Sequence, residues 1–241
     1  MNLLHIILGR TCIFCGNTVD PSSDGVCKNC AQAIAERHLE ILPSEQKDVL
    51  SLFRYEEPLR HGLHRFKYNG VADLGKYCAR LMAQRIRELD LNADLITCVP
   101  RAKDGLPRMY NQSEMIARPL AKQLNLPFNN TLLRKRSGAK SQTECINAHA
   151  RLRNAQKAFR KGFQKIDLHG KRILLVDDLY TTGATTQTCS ELLKKMGAES
   201  VLICTAMRVC GSPSALLISN NYTHLHFDLK QERKKGRYIP K

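Results

Sequence analysis

The chain has 241 residues, 43% apolar and 25% charged, long enough for one good-sized α/β domain with an appendage. No segment approaches the about 20 consecutive apolar residues of a membrane helix, which excludes insertion into a bilayer. Thirty-eight Lys and Arg against twenty-two acids leave a formal +16, a balance that points to polyanionic partners.

Met1 to Leu8 is apolar but short, lacks a basic start and runs into Arg10 and a cysteine pair, unlike a signal peptide. Four of the ten cysteines lie between residues 12 and 30; the other six are scattered through expected core elements. Buried free thiols pack as small hydrophobes and persist in a reducing compartment, so the expected location is cytoplasmic. Cys12-Ile13-Phe14-Cys15-Gly16 and Cys27-Lys28-Asn29-Cys30 are two CxxC knuckles eleven residues apart, with turn chemistry between them at Asp20-Pro21 and Asp24-Gly25. One CxxC could be a redox pair. Two in series point to a tetrahedral S₄ shell for structural Zn²⁺ on Cys12, Cys15, Cys27 and Cys30.

A short helix and a Pro43-Ser44 linker place a boundary near residue 45. This gives a zinc-ribbon domain over 1–45, a main domain over 46–210 and a basic C-terminal segment over 211–241. A strand is expected over 51–55, then a Lys67-Tyr68-Asn69-Gly70 turn, then a helix over 72–89 with Leu74, Cys78, Leu81, Met82 and Ile86 on one stripe. A buried strand over 94–100 leads into a basic loop carrying Arg101, Lys103 and Arg108. A helix follows over 112–124, then an extended segment over 126–133. Residues 134 to 165 hold ten Lys/Arg and one acid and are expected to be partly helical from about 147; residues 230 to 241 hold six and one. Such clusters suit a nucleic acid or a solvated basic surface, and charge alone does not separate the two.

Ile173 to Val176 is a continuous apolar run ending in Asp177-Asp178, then Leu179-Tyr180-Thr181-Thr182-Gly183-Ala184-Thr185 and a helix over 185–196. This reads as a strand over 172–177 buried on both faces of a parallel sheet, then a turn and a helix, with a further strand over 200–207. Ligands collect beyond the carboxyl ends of such strands. Glycine permits close approach, the hydroxyls donate, and a helix amino end carries partial positive charge, so the loop is a receptacle for a phosphate monoester. The aspartates can accept from sugar hydroxyls or hold Mg²⁺ through water.

The string from Asp177 to Thr185 resembles the phosphoribosyl pyrophosphate (PRPP) signature of type I phosphoribosyltransferases. The resemblance implies that Asp177 and Asp178 meet the ribose hydroxyls, while Thr181, Thr182, Gly183, Ala184 and Thr185 cradle the 5′-phosphate. The fold it implies is a central, mostly parallel sheet flanked by helices, with the zinc ribbon appended. The knuckles, Lys67 to Gly70, Val99-Pro100, Arg108 to Gln112, Gln142, Arg151, Asn154 and Ala158-Phe159 precede this loop in a fixed order. Over residues 10 to 207 the chain is similar to the ComF family, amidophosphoribosyltransferase-like proteins associated with DNA uptake in natural competence. The family usually has Arg-Gly-Phe-Asn-Gln where this chain has Arg108-Met109-Tyr110-Asn111-Gln112, and a second proline where it has Arg101-Ala102. By charge, Arg101 or Lys103 can serve the pyrophosphate; either can equally be a solvated loop residue. Lys67, Arg108 and Gln112 form a further tier of expected ligand contacts, and each can equally be an ordinary surface residue.

Two functions follow as expectations. The first is a binding protein of competence that handles single-stranded DNA, with PRPP or a related phosphorylated sugar as ligand and other DNA-uptake proteins as partners. The second is a working phosphoribosyltransferase of nucleotide or amine metabolism, in which Mg²⁺ accompanies PRPP. No nucleobase-recognition element or general base is evident in the sequence to favour turnover.

Overall fold

The computed structural model describes residues 10–20, 23–37, 48–101, 110–136, 157–163 and 166–209. Lys103, Arg108, Gln142, Arg151, Asn154 and the two segments 38–47 and 211–241 lie outside these residues. So do the expected helical start near 147 and both domain boundaries.

Four parallel strands make the central sheet: β3 (Val49–Arg54), β4 (Leu95–Cys98), β7 (Arg172–Tyr180) and β8 (Ser200–Arg208), in the order β3-β8-β7-β4. The register sets Cys98 beside Val176 and Val176 beside Cys204. β7 is an interior strand, which explains its unbroken apolar run: Ile173 to Val176 are all buried. Alternate residues serve opposite faces. Leu174 and Val176 belong to one core cluster with α3 (Asp73–Glu88) and α4 (Gln112–Leu124). Ile173 and Leu175 belong to a second, with Cys189 and Leu193 of α5 (Ala184–Lys195).

The helix expected over 112–124 forms with those bounds because both ends are capped. The Asn111 side chain accepts from the Ser113 amide, and Asn125 closes the helix with φ 54°. Pro119 inside it lacks an N–H for the Met115 carbonyl. α3 packs tightly there, since a Cβ on Gly75 would stand 2.8 Å from the Met115 oxygen.

Two elements differ from expectation. Residues 59–66, unassigned in the sequence, and Lys67-Tyr68, expected in a turn, form helix α2 (Leu59–Tyr68). Its Gly62, His61 and His64 are weak helix formers, so this helix depends on what it packs against. Segment 126–133 is mostly loop, touching the sheet by a bridge from Phe128 to Ile96. Beyond it, β5 (Leu133–Lys135) pairs antiparallel with β6 (Phe159–Lys161) in a separate basic ribbon.

The knuckles sit on a small β1 (Arg10–Thr11), β2 (Thr18–Val19) hairpin and on α1 (Lys28–Arg37). Cys12, Ile13, Phe14, Val19 and Cys30 share one buried cluster with Phe53, Leu63, Phe66 and Met82. Phe14 is edge-on to Phe53 (6.3 Å) and Tyr77 (5.7 Å). The knuckle and the sheet domain therefore share a core.

Candidate phosphate-ribose site and cysteine cluster

β7 runs to Tyr180, three residues past the expected end at 177, so Asp178 as well as Asp177 lies within the strand. Two other segments converge on them. Lys67, in the last turn of α2, places Nζ 2.6 Å from Asp178 Oδ2. Ser113, in the first turn of α4, donates from Oγ to Asp177 Oδ1 at 2.8 Å. The Asp178 amide donates to the same Asp177 oxygen at 2.9 Å.

Burial, and next the Asp178 charge, push the Asp177 carboxyl up to about 7 against the Ser113 and backbone hydrogen bonds. Burial opposes the charge on Lys67, but the Asp178 carboxylate outweighs it and holds the ammonium above its usual value. Lys67 thus offsets a carboxylate pair that would otherwise repel an anionic ligand.

The turn after β7 is shaped by Gly183, at φ +76°, where a Cβ would run into the Tyr180 hydroxyl. Gly183 is the N-cap of α5, and the first turn of that helix holds no acidic residue. Its leading N–H groups lack intrahelical acceptors by geometry and face the turn with the positive end of the helix dipole. Thr182 is buried, its Oγ1 accepting from the Ala184 amide at 3.5 Å. Thr186 Oγ1 donates to the Gly183 carbonyl at 3.1 Å. The arrangement can take a phosphate at the helix end with sugar hydroxyls toward the carboxylates.

Of the expected contacts, Asp177, Asp178 and Thr181 to Thr185 share this edge, and Lys67 is joined to Asp178 directly. Arg101 stands just past β4, the strand beside β7, with Nη1 donating to the Tyr110 carbonyl at 3.3 Å. Gln112 is buried and its Nε2 donates to the Lys67 carbonyl at 3.4 Å, which makes it a support of Lys67. Tyr110 adds a second support, its hydroxyl donating to the Phe66 carbonyl at 3.1 Å. Sequence reading missed Ser113; only the N-cap signature of Asn111 hinted at that helix start.

On the face of α2 that carries Gly62 and Arg65, the Sγ atoms of Cys12, Cys15, Cys27 and Cys30 lie within 4.8 Å of one another, and none of the four is in a disulfide. Cys15 and Cys27 are 3.6 Å apart, close to the about 3.8 Å edge of a tetrahedron with 2.3 Å metal–sulfur bonds. Burial raises the Cys12 thiol, yet backbone amides of Cys27, Cys15 and Phe14 outweigh it and bring the group down to about 7. Burial and neighbouring sulfurs push Cys30 up. The donor set fits a metal ion.

Residues 70–215 match the family model described as phosphoribosyl transferase domain, and the chain belongs to that family. Within it, the chain's relatives are those of the ComF family, as the motif order suggested. Competence protein F of Haemophilus influenzae is 26% identical over 219 residues, covering 80% of this chain and 94% of that protein. The DNA utilization protein YhgH of Salmonella typhimurium is 27% identical over 218 residues, with 80% and 94% covered. Competence protein ComFC of Streptococcus pneumoniae is 26% identical over 196 residues, with 79% and 84% covered. Among solved structures, the glutamine PRPP amidotransferase of B. subtilis overlaps 56% of this chain and 26% of its own, at 21% identity and a TM-score of 0.40. The fold class rests on the family match and the strand order. Among the described residues no helix is long and apolar enough to cross a membrane.

Proposed function

We propose that this protein binds PRPP, or a related phosphorylated sugar, and single-stranded DNA in the cytoplasm, as part of natural competence. The observation that carries the ligand reading is the Lys67–Asp178 and Ser113–Asp177 constellation immediately ahead of the Gly183-capped helix. The ribose hydroxyls donate to the two carboxylates, and the 5′-phosphate accepts from the loop of Thr181 to Thr185. Arg101 supplies charge toward the pyrophosphate, joined by Lys103 two positions on in the sequence. Mg²⁺ accompanies the pyrophosphate, and Zn²⁺ on the four cysteines is structural.

The DNA reading is supported by the relatives' names, competence protein and DNA utilization protein, and by the β5–β6 ribbon. Four of its six residues, Arg134, Lys135, Arg160 and Lys161, are basic. Just past it, Phe163 is 85% exposed with the Arg134 guanidinium 3.9 Å over its ring. An aromatic face among cations suits a stacked base and a tracked backbone.

The test of the ligand reading is calorimetric titration with PRPP and Mg²⁺. Micromolar-range binding, lost when Asp177 and Asp178 are both changed to Ala, is expected. Unchanged affinity in that variant places the site elsewhere. The rival reading, an active transferase, draws on Asp177, a carboxyl poised near neutrality. Pyrophosphate released with a panel of bases or amines, faster than in protein-free controls, would favour it.

A further inference from the structure

α2 is a wall shared by the two centres. One face lies on the knuckle. Arg65 Nη1 donates to the Cys12 carbonyl at 2.6 Å and to the Phe14 carbonyl at 3.4 Å. A Cβ on Gly62 would stand 2.6 Å from the Phe14 ring, so helix backbone meets aromatic ring with no side chain between. From the other side, a Cβ on Gly16, at φ +84°, would stand 3.2 Å from the Arg65 guanidinium carbon. Two residues on, about half a helical turn, Lys67 points away from the knuckle to Asp178.

The carbonyls that Arg65 grips belong to the turn that carries Cys12 and Cys15. That turn is closed by Gly16 N–H to the Cys12 carbonyl (2.9 Å), Cys12 N–H to the Asn17 carbonyl (2.7 Å) and Ile13 N–H to the Gly25 carbonyl (2.9 Å). Four thiols gathered within 4.8 Å can be taken by a metal ion as thiolates, and its binding would hold this shape. α2 itself has weak helix formers and no side-chain N-cap bond, so it relies on that face.

We infer that Arg65 is a positioning residue that couples metal occupancy of the cysteine cluster to ligand affinity at the aspartate pair, by fixing α2 and with it Lys67. This rests on the phosphate-ribose reading of the site. Coupling between sites is reciprocal: if metal tightens the sugar-phosphate ligand, that ligand must equally tighten the metal. A purely structural role for Arg65 would lower stability without this reciprocity.

The experiment uses the full chain, metal-loaded, with PRPP plus Mg²⁺ as probe. In the parent protein, saturating PRPP should tighten the metal, read as its equilibrium partition between protein and a chromogenic chelator, by about tenfold within the roughly 5- to 150-fold range of coupled sites. Arg65→Met should keep stoichiometric metal, bind PRPP about tenfold more weakly and abolish this tightening. Arg65→Lys, which can still donate to the Cys12 carbonyl, should recover part of both. If the parent does not bind PRPP, the underlying site reading fails. If it binds PRPP but gives up the same share of metal to the chelator at equilibrium with and without it, the coupling is overturned whatever the variants do. Arg65→Met that binds PRPP like the parent also overturns the role of Arg65. The partition measurement needs no variant, so poor folding of either substitution leaves the inference testable.

Discussion

The cysteine cluster and the phosphate-ribose site both gather polar atoms around a prospective ligand, but they are built in opposite ways. The cluster takes all its donors from residues 12–30, where two CxxC turns aim the sulfurs locally. The site takes Lys67 from α2, Ser113 from α4 and the aspartates from β7, segments that meet only through the packed sheet. A local centre should respond to substitution by losing its ligand and its own fold. A convergent one should lose affinity in steps as each supplier is displaced.

The largest effect is expected in the cluster. Changing Cys12 and Cys15 together to Ser should abolish the expected stoichiometry of about one zinc per chain and unfold the knuckle. Metal analysis and amide exchange check this, and stoichiometric zinc in the variant would break the distinction. Phe14→Ala, which empties a fully buried position shared by knuckle and sheet, should cost about 3–5 kcal/mol of stability by denaturant titration. A cost under about 1 kcal/mol would mean that the shared core is not a working one.

In the convergent site, Thr182→Ala should weaken PRPP by an order of magnitude or more, at about 1.5–3 kcal/mol for a hydrogen bond to a charged phosphate. The global fold should survive, which separates it from the cysteine variant. Asp177 adds a pH signature. Its folded value, about 7, lies above the about 3.9 of an unfolded Asp, so in that window the folded chain holds the extra proton. Its contribution is full below the unfolded value and lost as pH rises through the folded one. Asp177→Asn should therefore flatten a fall in stability between about pH 4 and pH 7, read by urea midpoints across pH.

The smallest effect concerns a region outside both centres. Neutralising Arg134, Lys135 and Arg136 should flatten the salt dependence of single-stranded DNA binding, whose log–log slope is about −0.7 per phosphate contacted. PRPP affinity should stay nearly constant. Salt-insensitive binding in the parent would reduce the ribbon to a solvated basic face.

Sequence alone determined what depends on short-range chemistry. The CxxC spacing fixed four donors because a turn of four residues aims two side chains the same way whatever surrounds it. The run from Ile173 to Val176 announced an interior strand because only burial on both faces tolerates it. Tertiary structure alone decided α2, whose residues have little helical preference and form a helix against Phe14 on one side and the aspartates on the other. It also decided that Ser113 meets Asp177, 64 positions away, and that Lys67 neutralises Asp178. No periodicity or spacing encodes such pairings. They exist because burying the apolar faces of α2, α3 and α4 leaves one arrangement of the sheet edge, and the polar side chains on those faces go where the packing carries them.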